Sequence, residues 1–122
     1  MTLPGNTSSG SSVSTDTDRF IRHVLISWIM ALLFGMETNA KVKLDRTSLF
    51  NNMLILMGGA LEQQGVDGTV TILLVQRYLD KLIEKGFVEE EESNYSLTEL
   101  GRVLGKIKYR AVKEKLQAAT VD

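Results

Sequence analysis

The chain has 122 residues, 43% of them hydrophobic and 24% charged, which suits one compact domain and excludes wholesale disorder. It has no cysteine, which excludes disulfides and thiolate chemistry. It has one histidine, so it offers few ligands for a zinc centre and a single candidate base for a Ser-His-Asp triad. The net charge of −1 excludes a polybasic chain, although basic residues dominate 19–48 and 100–122 and acidic residues dominate 89–99. We therefore expect a protein that is not an enzyme and that holds no metal and no other cofactor.

The N-terminal segment is rich in serine and threonine, holds the only proline and has few apolar side chains. Such a segment buries too little apolar surface to offset the entropy lost on ordering. We predict a disordered tail over residues 1–16 and a folded domain over residues 17–119.

Apolar residues recur at helical spacing between Arg19 and Met36, which predicts a first helix that ends near Gly35. Its most apolar part, residues 24–34, is shorter than the roughly 20 residues that a membrane span needs. We therefore expect a buried core or dimer helix and no membrane contact.

Residues 37–46 resemble a connection with weak strand character. Asp45 or Thr47 is expected to cap a second helix, whose apolar positions extend to Leu61 at helical spacing. The pair Gly58-Gly59 interrupts that helix, so we expect a kink, a close helix crossing or a split into two short helices.

A third helix is predicted from about residue 69 to Gly86, followed by strands at 87–88 and 95–97 that are joined across Ser93-Asn94. A last helix is predicted from about Glu99 to Ala118, capped by Ser96 or Thr98. The residues predicted for its inner side are Leu100, Val103, Leu104, Ile107, Ala111, Val112 and Leu116.

This order of elements is that of a winged helix-turn-helix domain, and residues 75–104 resemble the recognition helix, wing and following helix of PadR- and MarR-like regulators. The resemblance implies a mainly α (α+β) fold: helices, a two-stranded β-hairpin wing and a C-terminal helix, with the first and last helices available for dimerisation. It also implies that residues 57–70 supply the turn before the recognition helix and that Thr71 is the N-cap of that helix. The matching residues are Leu79, Leu82, Gly86, Phe87, Val88, Tyr95, Leu97, Thr98 and Gly101.

In such a domain the exposed face of the third helix enters the major groove of double-stranded DNA. Gln76 is a candidate to pair with adenine and Arg77 with guanine, and a basic row on the last helix is expected to follow phosphates. Glu89 to Glu92 would repel phosphates, so the wing is expected to stay off the DNA backbone and is available for a protein partner. The predicted DNA-binding residues are Thr69, Thr71, Gln76, Arg77 and Lys81 on the third helix, and Arg102, Lys106, Arg110 and Lys113 on the last helix.

The sequence therefore predicts a sequence-specific DNA-binding protein, which we interpret as a homodimeric transcriptional regulator of the cytoplasm. A plasmid-partition or replication role would need the same contacts with DNA and stays open. So does a non-catalytic winged-helix module that docks on another protein. A third alternative is a small-ligand sensor with a pocket formed by Trp28, Met30, Phe34, Met53 and Met57.

Overall fold

A computed structural model describes the backbone of residues 3–121 and the side chains of residues 18–113. Within these ranges the chain forms four α-helices and one small antiparallel sheet, the fold class expected from the sequence. A π-helical turn (Met36–Ala40) follows the first helix. The other elements are α1 (Leu3–Gly35), β1 (Leu44–Asp45), α2 (Arg46–Gln63), α3 (Gly68–Glu84), β2 (Val88–Glu91), β3 (Asn94–Leu97) and α4 (Glu99–Val121).

The backbone of α1 is helical from Leu3, earlier than the start near Thr17 that the sequence predicts. Pro4 is compatible with this start because the first turn of a helix needs no intrahelical N–H donor there. The side chains of residues 1–17 lie outside the described part, so the predicted tail over 1–16 stays a prediction.

Helix α1 is the central element of the core. Leu25, Ile29 and Leu33 are fully or almost fully buried, and the helix contacts α2, α3, α4 and β3. By length and composition the segment Asp18–Ala40 is also apolar enough to cross a membrane, with a mean hydropathy of 1.5. Length and composition therefore do not exclude a membrane span. The packing of α1 against the other helices and the sheet is, however, that of a core helix.

The α-helical part of α1 ends at Gly35, as predicted, but Gly35 does not reverse the chain. Its backbone is right-handed, and the left-handed residue is Lys41, whose φ is 55°. Gly35 instead lies against the ring of Tyr109 on α4. Asn39, in the π-helical turn, donates a hydrogen bond of 3.0 Å to the Tyr109 hydroxyl and so holds the turn to α4.

Helix α2 is continuous and is capped by Asp45, one of the two predicted caps. The Asp45 carboxylate accepts a 2.8 Å hydrogen bond from the backbone N–H of Ser48. This bond lowers the pKa of the Asp45 carboxyl, because the N–H stabilises its charged form. The predicted split at Gly58-Gly59 is wrong because α2 is one helix from Arg46 to Gln63. The predicted close crossing is wrong because, among the described residues outside the local helix backbone, no atom lies within 4 Å of a Cβ placed at either glycine.

The cap of α3 is Asp67 and not Thr71. The Asp67 carboxylate accepts a 2.9 Å hydrogen bond from the N–H of Val70, so the cap lies four residues before the predicted Thr71, and the helix begins at Gly68, next to the predicted start near residue 69. The side chain of Thr71 is fully buried and donates to the carbonyl oxygen of Asp67. The chain turns between α2 and α3 at Gly65, which has a φ of 84°.

The sheet has the order β1-β3-β2, so the predicted hairpin gains a third, two-residue strand. Leu44 pairs with Tyr95 on one side of β3, and Val88 pairs with Leu97 on the other. The strand therefore appears in the segment to which we assigned weak strand character, after the π-helical turn. Glu92 and Ser93 both have positive φ, as in the two-residue type I′ turn of a tight hairpin.

A junction of short contacts fixes the end of α3, the hairpin and the start of α4. Gly86 has a φ of 82° and supplies the predicted left-handed turn after α3. The Thr98 hydroxyl donates to the carbonyl of Gly86 and accepts a 3.0 Å bond from the N–H of Gly101. Thr98 is thus the cap of α4, and the alternative cap, Ser96, is buried in β3.

The inner face of α4 agrees with the predicted one only in part: Val112 is buried and Leu104 is half-buried against the core, as predicted, and Leu116 lies outside the described side chains. Gly101, Gly105 and Val112 point inward, and a Cβ on Gly105 would lie 3.2 Å from the Cβ of Phe34 and 3.3 Å from the carbonyl oxygen of Met30. The predicted inner residues Leu100, Val103, Ile107 and Ala111 are exposed. We call the first three, which are 55–63% exposed, the α4 apolar stripe.

This packing predicts that Gly101→Ala is strongly destabilising. A Cβ there would overlap the carbonyl oxygen of Phe87, a backbone atom that cannot turn aside. We expect the free energy of unfolding to fall by roughly 2–3 kcal/mol, as for other overpacked sites, measured by denaturant titration.

The matched control is Gly59→Ala on α2, where a new methyl group meets open space. Alanine is the better helix former, so this variant is expected to gain about 0.5–1 kcal/mol. Equal stability of the two variants would contradict the close contact between α4 and Phe87.

Candidate nucleic-acid interface

The predicted residues of α3 differ in their access to solvent. Thr69, Arg77 and Lys81 are exposed, and Gln76 is half-buried. Thr71 is buried on the core side, so its place in the predicted set is wrong: a DNA base cannot reach its hydroxyl in this fold. The difference arises because α3 begins at Gly68, which places Thr71 inside the helix on the face shared with Val75.

A groove between α1 and α3 gathers basic side chains from both helices. Arg22 of α1 and Arg77 of α3 line it together, and the groove has a volume of about 650 Å³. Lys81 and Lys85 extend the same wall along α3, one helical turn apart. Arg19 joins Arg22 and Arg77 in an adjoining depression. We call these five residues the cationic groove.

The surroundings of the cationic groove favour a negatively charged ligand. Its apolar lining residues include Ile26, Phe87 and Leu104, and its cations are exposed to solvent. Asp18 is the one carboxylate among the described side chains that line the groove and its adjoining depression. Four cations, Arg22, Arg77, Lys81 and Lys85, line the groove itself, and no described carboxylate lines it with them. A bound anion would therefore supply the opposite charge.

The basic row of α4, residues Arg102, Lys106, Arg110 and Lys113, is not brought next to the cationic groove. Leu104 is the α4 residue that lines that groove. At about 100° per residue, Lys106 lies roughly 160° and Lys113 about 180° around the helix from Leu104. Arg102 instead forms a 3.5 Å ion pair with Glu37 of the π-helical turn. The row is exposed, but it faces another side of the domain.

The four wing carboxylates, Glu89 to Glu92, are all exposed. Behind them Arg46 donates a 3.0 Å hydrogen bond to the hydroxyl of the buried Tyr95. That hydrogen bond raises the pKa of the Arg46 guanidinium, with smaller contributions from the charges of Asp80 and Glu90. Arg46 therefore joins α2 to the sheet beside the acidic side of α3, and it is not one of the groove cations.

The sequence reasoning missed three members of the cationic groove: Arg19, Arg22 and Lys85. The excess of basic residues in 19–48 was the available signal for the two arginines. Only the packing of α1 across α3 shows that they lie beside Arg77, because more than 50 residues of chain separate them.

The residues proposed for a small-ligand pocket are separated by the fold. Met30, Met53 and Met57 are buried in the core, and Trp28 lines an apolar pocket of about 310 Å³ with Leu56 on α2 and α4 residues. This pocket is not continuous with the cationic groove. Among the described side chains, no cluster of three or more His, Asp or Glu residues is placed to hold a metal ion.

Comparison with known proteins agrees with this geometry. The sequence model of the winged helix-turn-helix family matches residues 69–116, which include most of α3, the hairpin and most of α4. No curated protein and no solved structure gives a significant match to the chain. Domains of this family are typically non-catalytic and their presence suggests DNA binding; the match does not extend to a PadR or MarR subtype. The fold and the match together show that the chain contains a winged helix-turn-helix domain.

Proposed function

We propose that the protein binds double-stranded DNA through α3 and the cationic groove, as a homodimeric transcriptional regulator of the cytoplasm. The observation that supports this proposal best is the meeting of Arg19 and Arg22 with Arg77 on the exposed side of α3. Each guanidinium neutralises a phosphate or pairs with a base edge, and three of them within one depression suit a polyanion.

The distribution of charge along α3 indicates which end approaches the DNA. Residues 68–77 contain no acidic residue, whereas the second half of the helix contains Asp80 and Glu84. Recognition helices read base edges with their N-terminal residues, and here that half is free of carboxylates that would repel phosphates. We therefore place Thr69 and Arg77 nearest the bases, with Gln76 at the edge of the contact.

Arginines of α1 are the proposed phosphate contacts. Arg22 lies beside Arg77 but belongs to another helix, so it meets the DNA backbone when α3 occupies the major groove. The α4 basic row faces a different side, and we propose that it does not contact the DNA.

The α4 apolar stripe supports the proposed dimer. Leu100, Val103 and Ile107 fall on one side of α4 and are more than half exposed, with Phe20 of α1 similarly exposed at 56%. Apolar residues in such a row on one helix are typical of a surface that another chain covers. A second copy is the simplest occupant, because a two-fold pair of α4 helices covers both stripes at once.

A second candidate function is a non-catalytic docking module that binds a basic protein through its wing. The exposed carboxylates of Glu89 to Glu92 support it, because four adjacent charges on a hairpin oppose contact with DNA. A plasmid-partition or replication role would use the DNA contacts proposed above, without change.

The DNA-binding proposal predicts different effects for the loss of a base contact and the loss of a phosphate contact. Arg77→Ala is expected to weaken binding to a selected site by roughly 1–3 kcal/mol and to relax its sequence preference, because a base contact is lost. Arg22→Ala is expected to weaken binding to all duplexes equally and to make the salt slope shallower by about one unit. Fluorescence anisotropy titrations at several salt concentrations measure both quantities.

Lys106→Ala is the matched control, since it removes one exposed cation from α4 on the far side of the domain. We expect its affinity and salt slope to equal those of the wild type. The proposal fails if the wild type binds no duplex at low salt, or if Lys106→Ala weakens binding as much as Arg22→Ala.

The position of the wing predicts that its carboxylates do not contribute to DNA affinity. The double variant Glu90→Gln/Glu91→Gln is expected to bind a duplex as tightly as the wild type or more tightly, because two repelling charges are removed. Glu62→Gln, an exposed change on α2, serves as the control for a general charge effect. Weaker binding by the double variant would place the wing in a favourable contact and contradict this arrangement.

The dimer proposal predicts two chains per particle at micromolar concentration by analytical ultracentrifugation. Ile107→Glu places a charge in the α4 apolar stripe and is expected to give a folded monomer, since the side chain is 59% exposed within one chain. Ile55→Glu on α2, where the side chain is 80% exposed, should remain a dimer. A monomeric wild type would disprove the proposal.

A further inference from the structure

Two large apolar side chains stand on the outward face of α3, next to the basic residues. Val70 is 41% exposed and Leu73 is 60% exposed, whereas the core face of the helix is formed by Val75, Leu79 and Leu82. Arg77 follows Leu73 by four residues, so the two side chains lie on one face, one turn apart. The exposed face of α3 thus has an apolar first half beside an arginine.

The interior of the domain does not account for Leu73. It lies outside the buried cluster and outside the partly buried residues that pack against that cluster. It is also on a different helix from the α4 apolar stripe, so one dimer interface through α4 does not explain it. The residue needs an apolar partner that is compatible with the arginines around it.

The major groove of DNA supplies such a partner. Thymine presents its C5-methyl group there, the one apolar group among the hydrogen-bonding edges of the four bases. Arg77, one helical turn from Leu73, lines a depression with Arg19, Arg22 and the carboxylate of Asp18, so three cations and one anion lie there and the net positive charge attracts phosphates. Asp67 at the helix start is held by the N–H of Val70 and serves as the cap. An apolar row bordered by arginines is therefore complementary to duplex DNA that contains thymine.

We propose that Leu73, assisted by Val70, recognises thymine methyl groups in the target site. This inference rests on the proposed DNA-binding function and names part of its sequence preference. Leu73 and Arg77 are separated by about 6 Å along the helix axis, and stacked bases are about 3.4 Å apart. The recognised thymine is therefore expected within about two base pairs of the base that Arg77 contacts.

Deoxyuridine substitution tests the proposal directly, because deoxyuridine pairs like thymidine but lacks the methyl group. A preferred duplex is first selected from a random library with the wild-type full chain, and each thymidine is then replaced in turn. We expect deoxyuridine at one or two positions to weaken wild-type binding about fourfold, the equivalent of one buried methyl group at ~0.8 kcal/mol. For Leu73→Ala, the thymidine and deoxyuridine duplexes should bind equally.

Ile55→Ala is the matched control, since it shortens an even more exposed side chain, at 80%, on α2. This variant should keep the full sensitivity to deoxyuridine. Circular dichroism of both variants checks that the helices are intact.

The outcomes separate this inference from the proposed function. If the wild type binds the selected duplex but no deoxyuridine position matters, the methyl contact is wrong and DNA binding stands. If the wild type binds no duplex, the proposed function itself fails. If Leu73→Ala keeps its deoxyuridine sensitivity but sediments as a monomer, Leu73 is a subunit contact and the inference is overturned.

Discussion

The junction of α3, the hairpin and α4 is the contact on which the rest of the domain depends. The N–H of Thr98 donates a 3.1 Å hydrogen bond to the carbonyl of Phe87, and the Thr98 hydroxyl donates to the carbonyl of Gly86. Gly101 then lies so close to Phe87 that no side chain fits between them. These contacts set the direction in which α4 leaves the sheet, and they also determine which side of α4 meets α1.

The direction of α4 determines which of its side chains are exposed on the surface. With Gly101 and Gly105 inward, the backbone of α4 packs directly against α1 near Met30 and Phe34. Larger inward side chains would hold the helices farther apart, since packed helices are separated by the residues at their contact. The glycines therefore bring the helices together and leave the α4 apolar stripe outside. The close packing of α4 on α1 and the exposure of the α4 apolar stripe thus have the same cause.

The sequence predicted the elements whose signals are local. The core positions Leu79 and Leu82 of α3, the turn at Gly86 and the presence of the hairpin agree with the structure, because each depends on helical spacing or on one turn. The hairpin turn lies at Glu92-Ser93, one residue earlier than the predicted Ser93-Asn94. The inner face of α4 was predicted only in part, because apolar periodicity assumes that the largest apolar side chains are buried and so missed Gly101 and Gly105. A face formed by small residues gives no such signal. Thr71 was misplaced because the start of α3 depends on a single hydrogen bond to Asp67.

The candidate site was predictable only where its residues are close in sequence. Arg77 and Lys81 follow from the exposed side of one helix, whereas Arg19 and Arg22 join them only through the packing of α1 across α3. The α4 basic row does not lie beside the cationic groove, because regular spacing along one helix does not place a row next to another helix, and its contact with phosphates stays a prediction.

The separation of charges explains how a chain with a net charge of −1 can present a surface suited to DNA. At physiological salt, charges farther apart than about 8 Å are largely screened from one another, so local groups matter more than their sum. On α3 the cations Arg77 and Lys81 face α1, whereas the charge of Asp80 acts on Arg46, which is bonded to the sheet. The four wing carboxylates are exposed, and none of them lines the groove. Under the proposed DNA binding, a duplex placed across the wing would meet repulsion and one placed along the cationic groove would meet three arginines, so the carboxylates would make the first arrangement unfavourable.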